Sequence, residues 1–152
     1  MLVGMTADRR GLVPSNDAAK VARVGQFIKR CYGAPVARLQ SNASSGADVP
    51  LQLRSAGDHI DLGVPPGQSI DRAWLREDIS TGQRAYGFRV LARRDGEEDF
   101  VTLAEGMSVA RKRIVLFNST QSVRQLRFQV TAAAEWPVPM MEVAAFAPCG
   151  KP

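Results

Sequence analysis

The hydrophobic period changes part-way along this chain, and that change limits the folds open to it. Within residues 15–33, Val21, Val24, Phe27, Ile28 and Tyr32 recur at three- and four-residue spacing, which places them on one stripe of a helix. Ser15 or Asn16 is placed to cap its start, Asp17 suits the positive end of the helix dipole, and Gly33 with Pro35 just beyond supplies the stop. Beyond residue 50 the period becomes two. Ile60, Leu62 and Val64 alternate with His59, Asp61 and Gly63, and Ala73, Leu75 and Glu77 share one face of 70–77 with Trp74 and Arg76 on the other. Tyr86, Phe88 and Val90 alternate with Gly87, Arg89 and Leu91, as do Leu126, Phe128 and Val130 with Gln125, Arg127 and Gln129. Short runs at 99–103, 111–117 and 140–146 bring the expectation to about seven or eight strands, separated by turn signals such as Pro65-Pro66-Gly67, Asp95-Gly96 and Asn118-Ser119. Strands of this kind bury one face each, so two sheets must cover one another. The expected fold is mainly β: an antiparallel β-sandwich or jelly roll of galactose-binding-like type, preceded by one amphipathic α-helix. The small polar stretch 41–50 reads as a linker, which divides the chain into 1–40, the linker, and a sandwich over 51–148.

Charge sharpens this division. Residues 1–40 carry seven basic residues against Asp8 and Asp17, whereas residues 41–152 carry thirteen basic and thirteen acidic residues. The net +5 therefore belongs to the helical end, and the β-rich part offers no concentrated cationic face for nucleic acid. At 45% hydrophobic and 23% charged, 152 residues suffice for a real core. No apolar run approaches the roughly 18–20 residues that cross a bilayer, and the start lacks the order of a signal peptide. No nucleic-acid or membrane partner is expected, and the site of residence stays open. Cys31 and Cys149 fit no zinc or redox spacing; one disulfide is chemically allowed, and two unrelated thiols is the expectation. Asn42 and Asn118 begin sequons that matter only on a eukaryotic secretory route.

Catalytic chemistry is hard to assemble from these residues. His59 is the sole histidine, on the polar side of a strand, with no Ser or Cys identifiable as its partner. Glu97, Glu98 and Asp99 follow Asp95-Gly96 and read as a solvated hairpin tip. No EF-hand, zinc spacing or phosphate-holding glycine loop is present, so neither metal nor cofactor is expected. Sugar binding needs a ring face for stacking and polar groups for orientation. The candidates are Trp74, Arg76, His59 and Trp136, with a fucose- or galactose-containing glycan as ligand.

Four blocks in order resemble one family, the retaining α-L-fucosidases. Asp8-Arg9-Arg10-Gly11-Leu12-Val13-Pro14 with Gly25-Gln26-Phe27-Ile28 is similar to the family's last barrel strand and helix. Glu77-Asp78-Ile79 with Gly82-Gln83-Arg84 resembles its "EDI..GQR", Gly106 with Lys112-Arg113-Ile114 its "G…KRI", and Leu126–Val130 with Met140–Phe146 its closing strands. Ala85, Phe100 and Ala110 depart from the pattern, as does the opening LVGMTAD. The resemblance implies the end of a (β/α)₈ catalytic barrel followed by a C-terminal β-sandwich. It also implies that the nucleophile and the acid/base lie in barrel segments outside this sequence, so no residue here inherits a catalytic role. The expected function is a non-catalytic sandwich of a fucose-releasing glycosidase, structural or carbohydrate-binding, with the catalytic barrel as partner. A free-standing sugar-binding module is the alternative. Without a barrel, the apolar stripe of helix 15–33 must dock elsewhere, on the sandwich or on a second copy.

Overall fold

The computed structural model describes residues 8–41 and 51–149. The expected linker falls almost wholly on 42–50, outside them, as does the sequon at Asn42. Contacts divide the chain into a helical unit, ending at Ala34 and joined by the tail from Cys149, and a β unit, Pro35–Pro148.

In the helical unit, Asp8 organises a turn before the helix. Its Oδ1 accepts the N–H groups of Arg10 (2.8 Å) and Leu12 (3.0 Å), while the Arg10 guanidinium reaches Oδ2 at 2.9 Å. The Leu12 amide first, then Arg10, hold the Asp8 carboxyl below its ordinary value. Gly11 takes φ +76° in that turn, so the DRRGL block is a corner that glycine permits. Helix α1 spans Ser15–Tyr32, and neither Ser15 nor Asn16 caps it. Pro14 occupies the cap position, and its carbonyl accepts from Asp17 and Ala18, each at 3.0 Å. The helix begins one residue too early for a side-chain cap, because proline's fixed φ is already suitable there. At the other end the Gly33 amide donates to the Lys29 carbonyl (2.9 Å) with right-handed φ, so Pro35 is what forbids continuation, by restricting Ala34.

The two cysteines are not unrelated thiols. Cys31 and Cys149 form a disulfide, with Cα atoms 5.5 Å apart. A separation of 118 residues hid the pairing, because only the folded path returns residue 149 to the helix end.

The β unit holds nine strands among the described residues: β1 (Ala37–Gln40), β2 (Leu51–Leu53), β3 (His59–Gly63), β4 (Ser69–Glu77), β5 (Ala85–Arg93), β6 (Val101–Gly106), β7 (Arg113–Ser122), β8 (Gln125–Ala133) and β9 (Val138–Phe146). One antiparallel sheet runs β1-β9-β4-β7 with β2 also on β9; the other runs β3-β8-β5-β6. The mainly β, two-sheet class expected from the alternation is what the chain forms. The two strands outside the seven runs named from sequence, β1 and β2, span four and three residues, too short to display a period. Residues 37–40, read from sequence as part of the N-terminal piece, pair with Gln40 opposite Glu142 and Ala37 opposite Ala145.

One core fills the space between the sheets. Ile70, Ala73, Leu75, Val143 and Met140 from the first sheet meet Ile60, Leu62, Phe88, Val90, Leu126, Phe128 and Val130 from the second. The second-sheet residues stand where the two-residue period assigns them inward. Ile70 with Ala73 on β4, and Met140 with Val143 on β9, are each three residues apart and share the core because register shifts fall between them. At about 25 cal/mol per Å² of apolar surface, each large side chain buried here contributes about 1.5–3 kcal/mol.

Candidate functional site

The stretch Glu77-Asp78-Ile79-Ser80-Thr81-Gly82-Gln83-Arg84 turns the chain from β4 into β5. Glu77 is fully buried, and its Oε1 accepts the backbone N–H groups of Arg84 (2.5 Å) and Ala85 (3.1 Å). Asp78 Oδ1 accepts the Ser80 amide at 3.0 Å, which lowers the Asp78 pKa. Gly82 sits at φ +105°, a region closed to ordinary side chains. Gln83 Nε2 donates to the Ala85 carbonyl (3.3 Å) and to Ser108 Oγ (2.8 Å), and Arg84 Nη1 donates to the Pro137 carbonyl (2.9 Å). The GQR block is therefore a corner that ties three loops together.

The four residues proposed from sequence do not gather. Trp74 and Arg76 lie on the outward face of β4, in the first sheet, and His59 on the outward face of β3, in the second. Trp136, in the β8–β9 loop, is half-buried against the core and precedes a cis bond to Pro137. The Trp74 ring meets Phe146 edge-on at 4.5 Å, and Lys112 Nζ stands 3.5 Å from its centroid. One face of the indole is thus occupied by a cation. Arg76 bonds the fully buried Glu142 at 2.9 Å, and Arg38 from β1 reaches the other oxygen of that carboxylate at 2.6 Å. Burial first, then the Arg76 charge, push the Lys112 pKa down, with Glu142 opposing. His59 Nε2 lies 3.9 Å from Asp61, whose oxygens accept two bonds from Arg127, each 2.8 Å. Those bonds are the main reason that the Asp61 pKa is lowered and the Arg127 pKa raised. Arg127 stacks 4.0 Å from the Phe100 ring centroid, with Arg93 at 4.9 Å. Glu97, Glu98 and Asp99 are exposed, and Gly96 takes φ +79°, as a hairpin tip requires. Among the described residues no cluster of His, Cys, Asp and Glu could hold a metal ion.

Two structural carboxylates were missed, and each left a signal. Glu77 comes after Ala73 and Leu75 on a core face, and Glu142 interrupts the apolar run Met140–Phe146. A charge at an inward or fully covered position announces a partner.

The β unit also carries an open groove of about 530 Å³ on β5 and β6, lined by Tyr86, Gly87, Arg89, Glu105, Gly106 and Met107 among others. Arg89 and Glu105 are cross-strand neighbours, Nε to Oε2 3.5 Å.

No family model and no curated protein matches the chain. Its fold is that of a two-sheet antiparallel sandwich with one helix ahead of it, and solved structures carry that class further. The chain superposes on a protein assigned as an α-L-fucosidase from Bacteroides thetaiotaomicron with a TM-score of 0.77 and 25% identity, covering 96% of this chain and 30% of that one. A similarly assigned protein from Bacteroides ovatus gives 0.77 and 20%, covering 95% and 23%. A Ruminococcus gnavus GH29 fucosidase, solved with fucose, gives 0.72 and 18%, covering 94% and 32%. The likeness to the C-terminal part of an α-L-fucosidase is thus borne out along nearly the whole chain, which spans about a quarter to a third of those proteins.

Proposed function

We propose that this chain is a non-catalytic accessory β-sandwich of an α-L-fucosidase-like glycosidase, one whose catalytic barrel would release terminal α-L-fucose from glycans. The observation that carries the reading is the use made of its carboxylates. Glu77 is committed to two backbone amides and Glu142 to Arg38 and Arg76, while the groove holds a single acid, Glu105. Retaining hydrolysis needs two carboxyl groups about 5–5.5 Å apart across the scissile bond. A structural role therefore accounts for these acids better than a catalytic one. The test is a fluorogenic α-L-fucoside assay on this chain alone, expected to read at the buffer rate. Turnover that disappears on substituting one of its Asp or Glu residues would overturn the reading.

A further inference from the structure

The groove on β5 and β6 has a floor and two fixed rims. Gly87 keeps its floor flat, since a Cβ there would stand 2.6 Å from Thr131 Oγ1. At Gly106 a Cβ would turn inward instead, 2.9 Å from the buried Phe88 ring, so only backbone is presented to the groove at that position. On its rims are two large side chains that the core leaves out, Tyr86 at 53% exposure and Met107 at 78%. Those rims are tied to one another. The Ser108 amide donates to the Tyr86 carbonyl at 3.2 Å, and Gln83 of the GQR corner holds Ser108 Oγ at 2.8 Å. Ser108 and Ala110 adopt φ of 63° and 53°, so the loop bearing Met107 keeps an unfavourable backbone that its bonds enforce. Next along the ladder from Gly106, the Arg89 guanidinium and the Glu105 carboxylate put donors beside acceptors at no net charge.

This chemistry matches neither an anion nor a cation. An exposed phenol ring presents a face for axial C–H groups, and an adjacent donor–acceptor pair suits vicinal hydroxyls. We propose that the groove binds a neutral pyranose, stacked on Tyr86 and hydrogen-bonded to Arg89 and Glu105. With one side of the sugar left in water, its affinity falls in the roughly millimolar range. The proposal rests on the glycosidase-associated reading only for the choice of sugars.

The experiment is an amide NMR titration of this chain with L-fucose, D-galactose and D-glucose. At least one sugar is expected to shift the Gly87, Gly106 and Met107 amides saturably. Tyr86→Ala and Glu105→Gln should each weaken that binding by about tenfold, and Trp74→Ala should leave it unchanged. Both groove side chains are exposed, and unchanged core amide shifts confirm that each variant folds. Saturable shifts around Trp74 or Trp136 that survive Tyr86→Ala would overturn the site, as would the absence of any shift with all three sugars. Neither result touches the accessory reading, which stands or falls on the fucoside assay.

Discussion

Glu77 offers the sharpest test of how the corner is held. Glu77→Ala removes the acceptor for two amides, the buried one of Ala85 and the part-buried one of Arg84. A buried N–H left without a partner costs about 1–3 kcal/mol, and the part-buried Arg84 amide costs less, so the two together cost about 2–4 kcal/mol before any cavity is counted. Glu77→Gln keeps a carbonyl oxygen of nearly the same shape at Oε1, so both amides retain an acceptor and the cost falls to about 1 kcal/mol. The Oε2 position, which has no hydrogen-bond partner among the described residues, would receive the amide nitrogen and gain nothing there. The measurement is urea unfolding monitored by circular dichroism, with thermal midpoints alongside. For a chain of this size about 1 kcal/mol moves the midpoint by about 2–4 °C, so the alanine variant should melt of the order of 10 °C lower and the glutamine variant only a few degrees lower. Amide shifts at Gln83 and Ser108 should move in the alanine variant, since the corner that bonds Ser108 is released. If alanine and glutamine cost the same, or if alanine costs less than about 1 kcal/mol, the two-amide clamp is not what holds this turn.

Other named contacts lead to further expected outcomes. Because Arg127 holds the Asp61 pKa below its ordinary value, this pair stabilises the fold above the unfolded carboxylate's pKa and is lost as pH falls through the lowered folded value. Asp61→Asn should flatten the acid limb of the stability curve at a cost below about 1 kcal/mol at neutral pH, since the pair is partly exposed; an unchanged acid limb counts against it. Thiol titration of the denatured, unreduced chain should find no free cysteine. Cys31→Ser with Cys149→Ser should lower stability by about 2–4 kcal/mol, and two free thiols would contradict the pairing. Gly106→Ala should cost about 1–3 kcal/mol in denaturant titration, because the new methyl meets the buried Phe88 ring; a neutral result would mean that the ring yields freely.

How far the corner could be read from sequence shows where such reading stops. The spacing of Gly82-Gln83-Arg84 after Glu77 and before an alternating run marks a turn, and the glycine does adopt positive φ. Arg84 bonds a loop carbonyl, at Pro137, as a turn of that composition should, while Gln83 bonds the carbonyl of Ala85 at the start of β5. That Gln83 also holds Ser108 cannot be read off, because the two are 25 positions apart, with a hairpin between them. Tyr86 was legible only as a member of an alternating strand. Its exposure comes from register shifts between Ala85 and Phe88, and nothing local in the sequence announces them. Trp74 drew attention as an aromatic on an outward face; its neighbours Phe146 and Lys112 come from a different strand and from a loop far along the chain.

By itself, then, the sequence determined the class: one amphipathic helix, strands of period two, and blocks spaced as in the end of an α-L-fucosidase. Period and turn chemistry act between residues a few positions apart, so they survive in a linear reading. Tertiary structure alone decided the disulfide from residue 31 to 149, the two arginines on Glu142, and the groove beside the GQR corner. The arginines and the groove depend on strand order and register, which choose a residue's neighbours across the sheet, and the disulfide depends on the tail from Cys149 returning to the helix end, whereas the linear order chooses only neighbours along the chain.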